Sequence, residues 1–124
     1  MCIRDRLVHY GQDFNNAFWD AWSKHMAIGD GDAFTFKSFA RALDVSAHEF
    51  SHAVVTGTVD LVYQGQPGAL NESFADVIAV MVDRDDWLIG EEIVGPQVFP
   101  QGYARSFIDP GLSLIHISEP TRPY

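Results

Sequence analysis

Asp44-Val45-Ser46-Ala47-His48-Glu49-Phe50-Ser51-His52 is the stretch that decides how this chain is read, together with Gly68-Ala69-Leu70-Asn71-Glu72-Ser73-Phe74-Ala75-Asp76 downstream. His48 and His52 are four residues apart, so on a helix they share one face and both imidazoles can point at one ion. Glu49 lies beside them, within reach of a water on that ion. A catalytic zinc takes three protein ligands and keeps a fourth position open. Chance alone supplies these three residues in roughly 0.3% of chains of this length. The bland alternative is an amphipathic helix that happens to carry two histidines. Glu72, twenty residues after His52, narrows it, because a carboxylate on a second helix packed against the first completes the ligand set. Asp76 is one turn beyond Glu72 and on its face. It can accept the second ring N–H of a ligating histidine and so fix its tautomer. By themselves Glu72 and Asp76 would read as a solvated helix face. Beside the histidine pair they read as part of a site.

Working outward, Phe39, Leu43, Ala47, Phe50 and Val54 recur at helical spacing, which predicts a helix from about Ser38 to Thr56 with Ser38 as cap and Gly57 as stop. Leu70, Phe74, Val77, Ile78 and Met81 predict a second helix from about Ala69 to Val82, after a loop broken by Pro67 and Gly68. Leu61-Val62-Tyr63 is read as extended. Toward the N-terminus, Ala17-Phe18-Trp19 and His25 to Ile28 read as short strands around a turn near Asp20 to Lys24, and Gly29-Asp30-Gly31-Asp32 as a turn. After Asp83 the chain is rich in Gly and Pro and reads as irregular. The fold class is therefore α+β: two packed helices bearing the site, a small edge sheet and long loops.

The 124 residues give room for one small domain, and 47% hydrophobic with 20% charged residues is ordinary for a globular protein. A net charge of −9 argues against a nucleic-acid partner, which calls for a Lys/Arg surface. No apolar run approaches the roughly 20 residues of a membrane span. The two ends stand apart. Met1 to Asp5 can be encoded by ATG TGT ATA AGA GAC, followed by AG. The reverse complement of that string translates as Leu112-Ser113-Leu114-Ile115-His116. One DNA segment read on opposite strands accounts for both termini, and it resembles the transposon end used in building sequencing libraries. Residues 1–6 and 112–124 are therefore expected to be adapter-derived, and 7–111 to be the native span. That span holds 15 acidic against 5 basic residues, a net of −10. Cys2, the single cysteine, falls outside it and says nothing about redox compartment.

Val8-His9-Tyr10-Gly11-Gln12, Asn15-Asn16-Ala17-Phe18-Trp19, Gly29-Asp30-Gly31-Asp32, Asp44 to Glu49, Gly68 to Glu72 and Asp86-Trp87-Leu88-Ile89-Gly90-Glu91 together resemble the thermolysin family of zinc metallopeptidases, in that family's order and over nearly all of 7–111. The resemblance implies a zincin fold, seen here as a catalytic-domain fragment whose C-terminal helical domain is missing. It implies zinc on His48, His52 and Glu72, Glu49 as general base, Asp76 orienting His48 and Asn71 supporting His52. Tyr63 would donate a hydrogen bond to the oxyanion, as a phenol that keeps its proton at neutral pH can. Asn16, Ala17 and Trp19 would line an edge strand that pairs with a peptide substrate. A structural calcium would sit on Asp44, Asp83, Asp86, Glu91 and the carbonyl of Leu88, a hard-oxygen set. The family also implies secretion to the extracellular space and an inhibitory propeptide.

Some features depart from the family pattern. Asp83 stands where a longer glutamate is usual, and only Arg84 and Asp85 separate it from Asp86. The segment from Asp20 to Met26 is about two residues longer than usual. The family's second oxyanion donor, a histidine, is expected downstream, with its aspartate partner and a substrate-binding arginine. The expected activity is therefore that of a metalloendopeptidase in a full-length parent, with this fragment inactive by itself. The alternative from another class is a non-catalytic module that binds zinc and calcium.

Overall fold

In a computed structural model of the chain, residues 5–108 are described. The expectations for Met1 to Arg4 and for 112–124 lie outside these residues. Three short strands form one sheet: β1 (Asp5–Val8), β2 (Ala17–Asp20) and β3 (His25–Ile28), in the order β1-β3-β2. A 3₁₀ turn (Phe39–Arg41) leads into α1 (Leu43–Thr58), followed by α2 (Gly65–Val82). Two-residue strands β4 (Leu88–Ile89) and β5 (Arg105–Ser106) close a second small sheet. No helix of the described residues is long and apolar enough to cross a membrane.

The β2–β3 hairpin forms where alternation predicts it, with Ala17 opposite Ile28 and Asp20 opposite His25. Asp20 ties its turn by accepting the N–H of Trp22 at 2.9 Å and the hydroxyl of Ser23, an Asx-type closure. The longer turn leaves Trp22 95% exposed at the tip. β1 pairs with β3 in parallel, starting at Asp5 and His25, so Asp5 and Arg6 belong to a strand although they lie in the span set aside as adapter-derived. Backbone pairing needs no particular side chain, and Arg6 is exposed. The loop before β2 is held by Asp32. Its carboxylate accepts the N–H groups of Phe34 (2.9 Å) and Thr35 (2.6 Å) and the amide of Asn15 (2.7 Å). These bonds draw the Asp32 carboxyl well below the usual range, the Asn15 bond contributing most. Gly31 permits the approach: its φ is +71°, and a Cβ there would stand 2.2 Å from the carbonyl oxygen of Phe36.

The helices differ from expectation at their starts and in their faces. The predicted helix from Ser38 breaks at Ala42, which is extended (φ −99°, ψ 122°). Ser38 makes no capping bond and its hydroxyl donates to Asp30 instead, at 3.0 Å. Gly57 lies inside α1 rather than ending it. Helix α2 begins four residues earlier than read, at Gly65. Pro67 is accommodated because the first-turn N–H groups of a helix lack intrahelical partners anyway. Leu61 to Tyr63 forms no strand.

Within the predicted stripes only Phe39 and Ala47 are buried, whereas Leu43 and Phe50 on α1 and Leu70, Phe74, Val77 and Met81 on α2 are exposed. The buried face of α1 instead carries Asp44, Ala47, His48, Ser51 and Val55. Polar groups occupy it because they are partnered there; the Ser51 hydroxyl donates to the carbonyl of Ala47 at 2.7 Å. Small residues set the interhelical spacing. Ser51, Ala75 and Ala79 are fully buried, so the backbones approach closely and α2 brings Glu72 up to the histidines. Ala47, Ala79, Val80 and Ile89 form one core cluster, and a larger one joins β2, β3 and the 3₁₀ turn to Ile93, Val94 and Phe99.

Candidate metal centre

His48 and His52 project from the buried face of α1 with their rings 4.7 Å apart, edge to face. Their Nε2 atoms are 3.0 Å apart. Glu72 enters from α2, with Oε2 at 3.2 Å from His48 Nε2 and Oε1 at 3.5 Å from His52 Nε2. In a tetrahedral zinc site with bonds of about 2.0–2.1 Å, neighbouring ligand atoms stand roughly 3.3 Å apart. The three donors have that spacing. They are the one group of three or more His, Cys, Asp or Glu side chains among the described residues whose ligand atoms all converge within 4.8 Å.

Both rings are held from behind. His48 Nδ1 lies 2.6 Å from Asp76 Oδ1, and His52 Nδ1 lies 2.9 Å from Asn71 Oδ1. With a carboxylate and an amide oxygen as partners, each Nδ1 carries a proton and donates it, so the neutral form of each ring is the one with its Nε2 lone pair directed at the shared point. Burial disfavours an imidazolium at His48. Hydrogen bonds to Asp76 and Glu72 outweigh that and push it up to about 9 when no cation is bound. Burial likewise works against charge on Glu72 and Asp76, but His48 and Arg105 hold both below the usual carboxylate range. The site is a pocket of negative charge around two imidazoles, the chemistry of a divalent cation's cradle.

Glu49 is buried at the same place, 8% exposed, and its charge acts on His48. Tyr63 stands over His52, ring centroids 5.9 Å apart and nearly perpendicular. Asn16 lies exposed just before β2. Ala17 and Trp19 point into the core, so what they offer at the edge is backbone, and β2 is an outer strand of its sheet.

The acidic set for calcium is gathered less tightly. Asp44 is 2% exposed and accepts the N–H groups of Gly90 and Val45. Burial raises its carboxyl, and the charge of Asp83 adds to that. Burial also raises Glu91, and Asp44, Asp86 and Asp83 add to it, so the four carboxylates feel one another. Glu91 Oε2 is buried without a partner. Asp86 turns back on its own loop, accepting the N–H of Leu88 at 2.7 Å. The four do not converge as His48, His52 and Glu72 do.

One residue at the centre escapes sequence reasoning. Arg105 Nη2 donates to Asp76 Oδ1 at 2.6 Å and lies 3.2 Å from His48 Nδ1. An arginine thus stands at the centre within the described residues. A lone basic residue in an irregular segment carries no periodic signal. The available hint was its rarity, one of 5 basic residues in an acidic span.

The chain is similar to known proteins over most of its length. Residues 4–56 match the family model for the thermolysin metallopeptidase catalytic domain, and 59–121 the model for the thermolysin metallopeptidase alpha-helical domain. The first match ends and the second begins near the end of α1, so the histidines fall in the first and Glu72 in the second. A bacillolysin of Brevibacillus brevis is 53% identical over 72% of this chain and 16% of its own length. Neutral protease B of Bacillus subtilis is 47% identical over 83% of this chain and 19% of its length. The solved precursor of protealysin, a metalloproteinase from Serratia proteamaculans, superposes with a TM-score of 0.66 at 40% identity, covering 73% of this chain and 30% of that one. The chain spans less than a third of each.

Proposed function

Because this chain belongs to the thermolysin family of metallopeptidases, we propose that it carries the zinc-binding half of a secreted metalloendopeptidase, with His48, His52 and Glu72 as ligands and Glu49 as general base. The observation that carries the reading is the convergence of two Nε2 atoms and a carboxylate, each ring fixed through Nδ1 by an acceptor from α2. Zinc held by His48, His52 and Glu72 would supply a Lewis acid for the scissile carbonyl and a water with a pKa brought toward about 7. Glu49 takes the proton of the attacking water and passes it to the leaving amine. Tyr63 donates a hydrogen bond to the oxyanion. The outer edge of β2, opened by Asn16, accepts the backbone of an extended peptide.

Zinc binding tests the site through its pH dependence. Below about pH 9 His48 is an imidazolium in the metal-free chain, and zinc must expel a proton to bind. Apparent affinity therefore rises about tenfold per pH unit and levels near pH 9. The metal-free fold follows the opposite sign: the stability His48 gives it is full below pH 6.5 and is lost as pH climbs to about 9. Zinc titrations at several pH values check both, and an affinity flat from pH 6.5 to 9 would show that zinc displaces no proton from His48 in that range.

For the chain by itself, one observation favours the non-catalytic reading. Of the other described histidines, His9 bonds Asp30 through Nδ1 at 2.7 Å and His25 bonds the carbonyl of Ser23 through Nδ1 at 3.1 Å, and neither joins the group that converges at the metal centre. Zinc binding without peptide cleavage is then the expected behaviour.

Calcium is proposed for the Asp44, Asp83, Asp86 and Glu91 set with the Leu88 carbonyl. Mutual repulsion of these carboxylates and the unpartnered oxygen of Glu91 are what a cation would relieve. Chelating calcium in the full-length parent, with zinc kept bound, is expected to lower the melting temperature by roughly 5–10 °C. An unchanged melting temperature would remove the site.

A further inference from the structure

We propose that Arg105 is a positioning residue of the metal centre: its guanidinium holds the Asp76 carboxylate in the place from which Asp76 presents His48 to the ion. The proposal rests on the zinc reading above. Three elements meet here, His48 from α1, Asp76 from α2 and Arg105 from β5. Their side chains are 8%, 13% and 15% accessible. Arg105 Nη2 and His48 Nδ1 both lie 2.6 Å from the same oxygen, Asp76 Oδ1. Arg105 is itself anchored. Its strand pairs with β4, where it sits opposite Ile89, and Ile89, 1% exposed, packs with Ala47 of α1 and Ala79 and Val80 of α2. The N–H of the next residue, Gly90, is bound by Asp44 near the start of α1.

A guanidinium has only donors and stays charged at any working pH. It can neither take the His48 Nδ1 proton nor offer that proton an acceptor. Asp76 Oδ1 is thus the acceptor both groups share, and the tautomer it enforces is the one with the Nε2 lone pair free. Two effects of Arg105 oppose metal binding. Its charge repels a cation, and it draws electron density from Asp76 and so weakens His48 as a donor. Orientation is the larger effect, because a carboxylate released from its partner can turn away from the ring, and outer-shell partners of ligating histidines typically carry about 10–100-fold in metal affinity.

The test is zinc affinity, by competition with a chromophoric chelator, of the 124-residue chain, Arg105→Met, Arg105→Lys, Asp76→Asn and the Arg105→Met/Asp76→Asn double variant, with circular dichroism as the folding control. Arg105→Met is expected to weaken zinc binding at least tenfold, and Arg105→Lys to recover part of the loss. In the Asp76→Asn background Arg105→Met is expected to add no further loss. In the zinc-loaded chain the His48 Nδ1 proton is expected to exchange slowly by NMR in the wild type and faster in Arg105→Met. Unchanged or tighter zinc binding in Arg105→Met would overturn the proposal, as would an equal loss in the Asp76→Asn background. If Arg105→Met fails to fold, Arg105→Ala decides: affinity equal to wild type overturns it. Zinc binding that ignores His48→Ala would instead bring down the zinc reading itself, and this proposal with it.

Discussion

Glu49→Gln in the full-length parent is expected to abolish peptide cleavage and leave zinc bound. Glu49 sits beside His48, buried at the site, yet it is not one of the three side chains whose ligand atoms converge. The amide keeps the size of the side chain and can still hydrogen-bond the attacking water. It cannot take up that water's proton at neutral pH. Losing a general base costs typically about 10²–10⁴-fold, and the cost grows when the same group also protonates the leaving amine. Metal affinity should hardly move, since His48, His52 and Glu72 keep their partners Asp76 and Asn71. A cleavage assay beside a zinc determination reads both quantities. Near-normal turnover would show the mechanism to be wrong even with the fold right.

Glu72→Gln is expected to behave differently and to lose metal and activity together. Its two oxygens face both Nε2 atoms, at 3.2 and 3.5 Å, and it is the negative charge in the ligand set. An amide is a far weaker zinc ligand, and it leaves a dication beside two neutral imidazoles. The loss of affinity should exceed the roughly 10–100-fold typical of an outer partner. Zinc retained by the purified Glu72→Gln variant at the wild-type level would remove Glu72 from the ligand set. The contrast between the two glutamates is the informative part, because a general loss of folding would affect both variants alike.

The centre was legible in the sequence because a helix turns residue spacing into geometry. His48 and His52 at four apart, and Glu72 and Asp76 at four apart, each had to share a face. The structure brings all four together. The hairpin was legible for the same reason at a period of two. What periodicity misread was which face is inside. Leu43, Phe50, Phe74 and Met81 make convincing apolar stripes, but among the described residues they are exposed. The interior of the helix pair is given to the site's polar groups and to alanines. The outward stripes leave an open apolar groove of about 370 Å³ beside Met26, Leu43, Phe50 and Ile78. The start of α2 is not legible because Pro67 and Gly68 read as breakers, whereas the first turn of a helix tolerates them. Arg105 was missed because its partner Asp76 is 29 residues away, a pairing that no local window contains.

X-ray absorption at the zinc edge of the zinc-loaded chain tests the central claim most directly. A first shell of two imidazole nitrogens with carboxylate and water oxygens at about 2.0–2.1 Å, losing one imidazole in His52→Ala, is the predicted result. A six-oxygen shell, or a spectrum that His52→Ala leaves unchanged, would mean that zinc does not sit between His48, His52 and Glu72.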